Sequence, residues 1–128
     1  MYAPPANHTT RPPGRMDTRV RTALVVVERQ FREGVRERDL AAALGLSLSR
    51  FRHLFRRDTG GSFRRHLKSV PLSHAAQAMA DPKLSVKEIA LNSGYRNPAN
   101  FTRAFAREYG ATPQEFRGWY LRKGSRIG

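Results

Sequence analysis

Two stretches of the chain share one order of apolar, small and polar positions: a small residue, a glycine four positions later, two phenylalanines one helical turn apart, and a closing glycine. The first copy consists of Ala41, Gly45, Phe51, Phe55 and Gly60, and the second of Ala90, Gly94, Phe101, Phe105 and Gly110. The second copy lies 49 residues after the first up to the turn and 50 residues after it beyond the turn. Two short helices can cross closely through a tight turn when small residues lie at the crossing. The repeated pattern therefore predicts two helix-turn-helix units in tandem.

A further helix is predicted ahead of the first unit, because apolar residues recur there at steps of four, three and four positions, namely at Val20, Leu24, Val27 and Phe31. Asp17 or Thr18 can cap its N-terminus. Gly34 is expected to end it. The run 24–27 taken alone could form a strand, but the sequence offers no second strand-like segment to pair with it. We expect this helix to support the core of the unit that follows.

In the first unit we predict helices over 36–44 and 48–57, joined by a turn at Gly45. Ser47 is the expected N-cap of the second helix, whose first turn would then point free backbone amides toward a phosphate. The residues predicted to face inward are Leu40, Ala41, Leu44, Phe51, Leu54 and Phe55. Those predicted to face outward from the second helix are Ser49, Arg52, His53 and Arg56. This outward face carries hydrogen-bond donors, and the major groove of DNA offers acceptors such as O6 and N7 of guanine.

The second unit begins with a capping box, Ser85-Val86-Lys87-Glu88. The matching position of the first unit is Arg36, so its first helix lacks such a cap and has only acidic residues near the positive end of the helix dipole. In the second helix of the second unit, Asn97 is the expected N-cap and Pro98 the first helical residue. The outward positions there are Ala99, Asn100, Thr102, Arg103 and Ala106. Arg103 is the sole cation near the centre of this face, so we expect specificity there to depend on it.

A long amphipathic helix is predicted between the units, with apolar positions at Phe63, Leu67, Val70, Ala75 and Met79. Pro71 interrupts it. Because a proline inside a helix removes one backbone hydrogen bond and clashes with the carbonyl four residues back, the segment should either kink or divide into 62–69 and 71–80. We lean toward the kink, since both segments keep an apolar face.

A last helix is predicted to start at Thr112-Pro113-Gln114-Glu115, which repeats the capping signal. Three aromatic residues, Phe116, Trp119 and Tyr120, are expected to lock this helix onto the second unit. The segment 122–128 is expected to be a frayed basic tail. At the other end, residues 1–16 are rich in proline and polar residues and are expected to form a disordered arm.

The charge of the chain indicates its binding partner. Lysine and arginine total 24 against 10 acidic residues, which gives a net charge of +14. The isoelectric point is near 11.5, well above the value of about 9 that is typical of nucleic-acid-binding domains. A surface charged only for solubility usually mixes both signs, but here seven cations cluster with Asp58 as the only acid among them: Arg50, Arg52, Arg56, Arg57, Arg64, Arg65 and Lys68. A polyanion is the expected partner.

Several kinds of site are not expected from this composition. Cysteine is absent, which excludes disulfides, thiolate zinc sites and a cysteine nucleophile. The four histidines lack metal-ligand spacing, and no paired carboxylates, phosphate-binding loop or nucleophile with its base is found, so we expect no metal, no cofactor and no enzymatic activity. No apolar run approaches the roughly 20 residues of a membrane span, so we expect a soluble, cytoplasmic protein that acts at the nucleoid.

Five stretches carry a resemblance to a known family: Asp39-Leu40-Ala41 through Gly45-Leu46-Ser47, Leu54-Phe55-Arg56 through Thr59-Gly60, Ile89-Ala90 through Gly94-Tyr95, Phe101 through Phe105, and Gly110-Ala111-Thr112-Pro113 with Phe116-Arg117. Together they resemble the DNA-binding domain of the AraC/XylS family of bacterial transcription regulators over about residues 18–120. The resemblance implies an all-α fold of about seven helices, in which a linker helix joins two helix-turn-helix units and both recognition helices enter major grooves. We accordingly expect a first unit with its linker helix over 17–80 and a second unit over 81–121.

Carried over by position, the resemblance implies base contacts from seven residues: Ser49, Arg52, His53, Pro98, Ala99, Thr102 and Arg103. Phosphate contacts are expected from Ser47, Arg50, Arg56, Arg57, Asn97 and Asn100. Because 128 residues leave no room for a large sensor domain, the chain is similar to short, stand-alone family members. We expect a sequence-specific regulator that binds double-stranded DNA as a monomer and touches RNA polymerase. The alternative is a nonspecific or architectural DNA-binding protein, which the high charge and the poorly equipped second unit would favour.

Overall fold

The computed structural model describes residues 16–127, and the side chains of these residues up to 122. Within this range the chain forms seven α-helices and no strand, so the predicted all-α class and the order of helices are confirmed. The helices are α1 (Thr18–Gln30), α2 (Glu37–Ala43), α3 (Leu48–Thr59), α4 (Phe63–Ala78), α5 (Val86–Asn92), α6 (Pro98–Tyr109) and α7 (Pro113–Ile127). A single turn of 3-10 helix, Phe31–Glu33, follows α1. The predicted N-terminal arm lies outside the described residues, except for Met16.

The chain divides into two compact units, of which the first ends at Val70 and the second begins at Pro71. The division therefore falls inside α4, whereas the sequence analysis placed the whole linker helix in the first unit. Within the second unit, the end of α4 is tied to α7. Nε of Arg117 donates to the carbonyl oxygen of Met79 at 3.4 Å, and Nη2 of Arg117 donates to that of Asp81 at 3.2 Å.

Pro71 lies within α4 without ending it, since the helix runs from Phe63 to Ala78. The alternative to a kink, a division into two helices over 62–69 and 71–80, is therefore not found. Pro71 has no N–H to donate to the carbonyl of Leu67, so α4 lacks one backbone hydrogen bond at this point. The beginning of α4 is capped, because Oγ of Ser62 accepts a hydrogen bond from the backbone N–H of Arg65 at 3.1 Å.

Three phenylalanines form the centre of the first unit. Phe51 and Phe55 of α3 and Phe63 of α4 are each at most 1% exposed. The ring of Phe63 packs edge-on against both others, with centroids 5.1 and 5.3 Å away. Aromatic pairs at such distances add stability beyond the area that they bury. The inward-facing residues of α1, which are Val20, Ala23 and Val27, are fully buried in the same cluster. The expected supporting role of α1 in this core is thus confirmed.

Both helix-turn-helix units make the same turn between their two helices. In the first, the N–H of Leu46 donates to the carbonyl of Ala41 at 2.9 Å, and in the second the N–H of Tyr95 donates to that of Ala90 at 3.0 Å. The glycine in each turn has a positive φ, 75° at Gly45 and 95° at Gly94, which other residues rarely adopt. The repeated small residue and glycine of the sequence therefore serve the same tight turn twice, as predicted.

A buried carboxylate joins the end of α3 to the start of α1. The Asp58 side chain is 0% exposed. Its Oδ2 accepts a hydrogen bond from the backbone N–H of Asp17 at 2.8 Å, and its Oδ1 pairs with Nε of Arg57 at 2.9 Å. Asp17 caps α1 as expected, and hydrogen bonds from Arg19 hold the pKa of Asp17 down at about 2. In the sequence, Asp58 stands out only as the single acid among seven cations, which does not predict this role.

The core of the second unit repeats the aromatic pattern of the first. Phe101 and Phe105 of α6 are fully buried, and the ring of Phe116 from α7 packs edge-on against Phe105 at 5.3 Å. The prediction that all three aromatic residues of α7 pack into this core is wrong in part. Phe116 is buried, whereas Trp119 and Tyr120 are each 37% exposed. Tyr120 does stack on Phe116, with ring centroids 6.0 Å apart. The helix also continues to Ile127, past the point where the sequence predicted a frayed tail.

Candidate nucleic-acid interface

The recognition helix of the first unit, α3, has one buried and one exposed face. Its buried face consists of Phe51, Leu54, Phe55 and Asp58. The predicted DNA contacts of the first unit are all exposed: Ser47, Ser49, Arg50, Arg52, His53, Arg56 and Arg57. Ser47 caps the helix, since its Oγ accepts a hydrogen bond from the N–H of Arg50 at 3.1 Å. Because the opposite face of α3 packs in the core, the backbone positions of these exposed residues are fixed relative to the first unit.

Arg52, at the middle of this exposed face, is paired with a residue of the preceding helix. Its Nη2 donates to Oε1 of Glu37 at 3.0 Å and its Nε donates to Oε2 at 3.2 Å. The Glu37 side chain is 18% exposed, against 56% for Arg52. The hydrogen bonds to Glu37, together with the negative charge of its carboxylate, raise the pKa of Arg52 above its ordinary value. The sequence places Glu37 near the positive end of the dipole of α2 and predicts no other role for it. A pair separated by 15 positions on two helices leaves no signal in local periodicity.

This ion pair forms part of the wall of a cleft that is rich in arginine. Its volume is about 270 Å³. The lining residues come from α2, from α3 and from the start of α4: Glu37, Arg52, Arg56, Ser62, Phe63 and Arg64. Three of these are arginines, and all three belong to the cluster of cations in the sequence. The first unit thus gathers guanidinium groups around the exposed face of α3, as the sequence predicts.

Arg57, a predicted phosphate contact, is partly engaged within the protein. Its Nε is paired with Asp58, and its side chain remains 44% exposed. The buried carboxylate raises the pKa of Arg57 above its ordinary value through this hydrogen bond. The remaining guanidinium nitrogens lie on an exposed side chain, where a phosphate can approach.

The recognition helix of the second unit, α6, presents a different surface. Pro98, Ala99, Asn100 and Arg103 are exposed, whereas Thr102 is half-buried. Asn97 caps the helix as predicted, with its Oδ1 accepting hydrogen bonds from the N–H groups of Ala99 at 2.8 Å and Asn100 at 3.4 Å. Nη2 of Arg103 donates to Oδ1 of Asn100 on the same helix. Oδ1 of each of these two asparagines is thus used within the protein.

Other kinds of site have no counterpart in the described part of the chain. Among residues 16–122, no group of three or more histidine, aspartate or glutamate side chains is arranged to hold a metal ion. None of the described helices combines the length and the apolar character that crossing a membrane requires.

The fold and its two exposed faces define a protein with two helix-turn-helix units. A family model described as a helix-turn-helix domain matches residues 40–118, which span both units. The chain belongs to the AraC-type helix-turn-helix family of transcription regulators, as the resemblance in its sequence implied.

Individual relatives agree with this membership. The Msm operon regulatory protein of Streptococcus mutans is 29% identical over 92 residues, which are 72% of this chain and 33% of that protein. The chain spans about one third of the length of the curated relatives it matches. The C-terminal domain of the response regulator AraT from Geobacillus stearothermophilus is similar with a TM-score of 0.73 at 25% identity, over 80% of this chain and 86% of that one. The DNA-binding domain of AdpA, solved with a target DNA, has the same fold, with a TM-score of 0.72 at 24% identity over 81% and 94%.

Proposed function

We propose that this chain is a sequence-specific, double-stranded DNA-binding transcription regulator that inserts α3 and α6 into major grooves. The exposed face of α3 carries this proposal. Ser49, Arg52 and His53 project there from a helix whose opposite face is held by the core, so their donors keep fixed positions relative to one another. An α-helix fits the major groove, and each base pair presents a distinct pattern of donors and acceptors there.

The residues of the first unit divide into two roles in this proposal. Ser49, Arg52 and His53 contact base edges. Four others, Ser47, Arg50, Arg56 and Arg57, contact phosphates and so fix the register of α3 in the groove. The cleft supports this division in part, because Arg56 and Arg64 line it together with the base-contacting Arg52 and provide positive charge for the DNA backbone.

The second unit has fewer groups with which to distinguish bases. Pro98 and Ala99 have no side-chain donors, although the methyl group of Ala99 can contact the methyl group of thymine. Thr102 and Arg103 complete the proposed base contacts, with Asn97 and Asn100 at phosphates. Nη2 of Arg103 donates to Asn100, and the other N–H donors of its guanidinium group remain for a base. We therefore propose that α6 adds less specificity than α3.

The regulator acts as a monomer in this proposal, because the two units in one chain already supply two recognition helices. Its other partner is RNA polymerase, and its place of action is the bacterial cytoplasm at the nucleoid. Regulatory proteins among its relatives support the transcriptional role. A purified chain that sediments as a dimer on a single DNA site would contradict the monomer.

A nonspecific or architectural DNA-binding protein is the second candidate. Two observations favour it: the net charge of +14 and the small number of base-reading groups on α6. Electrostatic contacts to phosphates alone give binding without sequence preference. The two candidates therefore differ in selectivity rather than in their ability to bind DNA.

Selection of bound sequences from a random duplex pool tests the proposal. For a regulator, the selected duplex should bind about a thousandfold or more tighter than random DNA of equal length at the same salt concentration. A ratio near one would establish the nonspecific protein instead.

Footprinting on the selected duplex then tests the contribution of α6. Protection should extend over two major-groove segments, and Arg103→Ala should remove the protection of one of them. Arg107→Ala is the matched control, because it removes the same charge from the exposed surface near the end of the same helix. Protection of a single segment by the unmodified chain would contradict the use of two recognition helices.

A further inference from the structure

We propose that Glu37 is a positioning residue for base recognition, which orients the guanidinium group of Arg52 so that its free edge faces a guanine. This inference rests on the proposed function. It adds a residue of α2, outside the recognition helix, to the determinants of sequence specificity.

The hydrogen bonds of the pair define which edge of Arg52 remains available. The Glu37 carboxylate occupies the edge formed by Nε and Nη2, through contacts of 3.2 and 3.0 Å. A guanidinium group has five N–H donors in one plane, so the edge formed by Nη1 and the second Nη2 hydrogen remains for another partner. Within the described residues no hydrogen bond uses Nη1 of Arg52. A two-donor edge of arginine is the group that binds O6 and N7 of guanine together.

The surroundings of Glu37 allow it to hold the guanidinium group of Arg52 in one orientation. Glu37 lies in the first turn of α2, and its side chain is only 18% exposed. Its carboxylate therefore has less freedom to move than the carboxylate of an exposed side chain. A free arginine side chain has many rotamers and loses that freedom when it binds a base. A bidentate contact to Glu37 restricts the rotamers before DNA arrives, which lowers the entropic cost of binding.

Glu37 also affects binding to DNA of any sequence, but in the opposite direction. Its negative charge lies next to the cleft that contains Arg56 and Arg64, where phosphates are proposed to approach. A carboxylate at this place weakens attraction to every phosphate backbone. Because this weakening applies to the correct site and to random DNA alike, Glu37 raises selectivity through the alignment of Arg52 and lowers affinity for DNA in general.

The test compares Glu37→Gln with Asp39→Asn. Both variants remove one negative charge from the first turn of α2, but Asp39 is exposed and has no ion pair or hydrogen bond in the described structure. Affinities are measured for the selected duplex, for the same duplex with 7-deazaguanine at the contacted guanine, and for random DNA, all at one salt concentration. Both variants should bind random DNA more tightly than the unmodified chain.

The expected difference between the variants lies in selectivity. For the unmodified chain and for Asp39→Asn, 7-deazaguanine, which keeps O6 but lacks N7, should lower affinity by roughly 5- to 20-fold, because the bidentate contact becomes a single hydrogen bond. For Glu37→Gln, this loss should shrink to about threefold or less, and the ratio of selected to random affinity should fall at least about fivefold below that of Asp39→Asn. In an Arg52→Ala background, Glu37→Gln should change selectivity no more than Asp39→Asn does.

Three results overturn the inference, and they can be distinguished from one another. If the unmodified chain does not prefer the selected duplex to random DNA, the proposed function fails and the inference fails with it. If the unmodified chain is selective and Arg52→Ala reduces that selectivity, but Glu37→Gln and Asp39→Asn give equal ratios, the proposed function stands and only the role of Glu37 is wrong. Selectivity that is unchanged by Arg52→Ala also overturns the role of Glu37.

Discussion

In the first unit the arginine at the middle of the recognition helix, Arg52, makes a bidentate ion pair with Glu37 of the preceding helix. In the second unit Thr102 stands at the position that matches Arg52, and the exposed arginine of the helix, Arg103, lies one position later and donates to a neutral amide, Asn100, one turn away on its own helix. The first arrangement fixes the side chain from outside the recognition helix, and the second keeps it along the helix surface. Two units with the same turn therefore hold their arginines differently, because both the position on the helix and the hydrogen-bond partner differ.

The cores of the two units differ at equivalent positions in a similar way. Phe116 of the second unit packs against Phe105 at 5.3 Å, and the residue 50 positions earlier, His66, packs against Phe55 at 5.7 Å. Asp58 is buried in the first unit, whereas Glu108 at the matching position is half-buried. The first unit thus places two polar side chains where the second has an aromatic ring and a partly solvated acid. These differences make each unit a control for the other.

The largest expected effect concerns the distribution of phosphate contacts between the units. If six to ten cations meet phosphates, affinity for DNA should fall by roughly 10³- to 10⁵-fold between 50 and 200 mM salt. The double variant Arg50→Ala and Arg56→Ala should lower the slope of log affinity against log salt by about two. Arg96→Ala with Arg107→Ala, which removes two exposed cations of the second unit, should lower it less. Equal changes in slope would show that both units share the phosphates evenly.

The second prediction concerns Asp58 and its counterpart Glu108. Asp58→Ala removes the acceptor of the Asp17 N–H and the buried partner of Arg57, so the free energy of unfolding should fall by about 2–3 kcal/mol. Glu108→Ala removes a half-buried acid and should change the free energy of unfolding by no more than about 0.5 kcal/mol. Urea unfolding measures both. A loss below about 1 kcal/mol for Asp58→Ala would mean that the junction between α1 and α3 does not depend on this carboxylate.

The features that local sequence could predict are those that repeat within a helix or a turn. The inward phenylalanines, the glycine turns and the caps at Ser47, Ser85 and Asn97 all involve residues within about four positions of one another, where helical geometry fixes the neighbours. The exposed faces of α3 and α6 follow from the same periodicity. That is why the candidate contacts on α3 could be named before the fold was known.

The features that were missed depend on residues far apart in the chain. The Glu37–Arg52 pair spans 15 positions and the Asp17–Asp58 contact spans 41, and only the tertiary packing of three helices brings them together. Asp58 did leave one signal, because it continues the buried series Phe51, Leu54 and Phe55 at helical spacing. The exposure of Trp119 left none, since an aromatic residue near a helix end can face either way.

The third prediction concerns His66, which occupies the place of Phe116. Its Nε2 is buried and has no hydrogen-bond partner among the described residues. His66→Phe should therefore raise the free energy of unfolding by about 1 kcal/mol at pH 5.5, because a buried polar atom without a partner is replaced by a ring of similar shape. Phe116→His is the mirror variant and should destabilise the second unit.

The effect of His66 should also depend on pH. Burial lowers the pKa of His66, and the nearby charge of Glu28 opposes this shift without cancelling it. Between the lowered pKa and the ordinary value of about 6.5, the unfolded chain binds more protons than the folded chain, so stability falls as pH falls through this window. Urea unfolding from pH 7.5 to 5 should show this loss in the unmodified chain and a smaller one in His66→Phe. Identical pH profiles would show that His66 titrates equally in both states.

The smallest expected effect concerns the first helix of each unit. In α5, Oγ of Ser85 accepts from the N–H of Glu88 at 3.0 Å, and the Glu88 carboxylate accepts from the N–H of Ser85 at 2.9 Å. These hydrogen bonds lower the pKa of Glu88. In α2 the N-cap is Arg36, which makes no side-chain cap. Arg36→Ser should supply one for the N–H of Asp39 and raise the free energy of unfolding by about 0.5 kcal/mol.

Ser85→Ala is the mirror of Arg36→Ser and should lower the free energy of unfolding by a similar amount at pH 7. Because the folded pKa of Glu88 is lowered, the contribution of its carboxylate is present above the ordinary glutamate pKa of about 4.3 and is lost as pH falls through the lowered value. Ser85→Ala keeps the backbone N–H that makes the larger contribution to this shift, so the stability lost in Glu88→Ala should shrink in acid, whereas the gain from Arg36→Ser should persist. Thermal unfolding at pH 7 and pH 3 measures both. A gain from Arg36→Ser that vanishes in high salt at pH 7 would mean that the variant acts by removing a charge from the positive end of α2 and not by capping it.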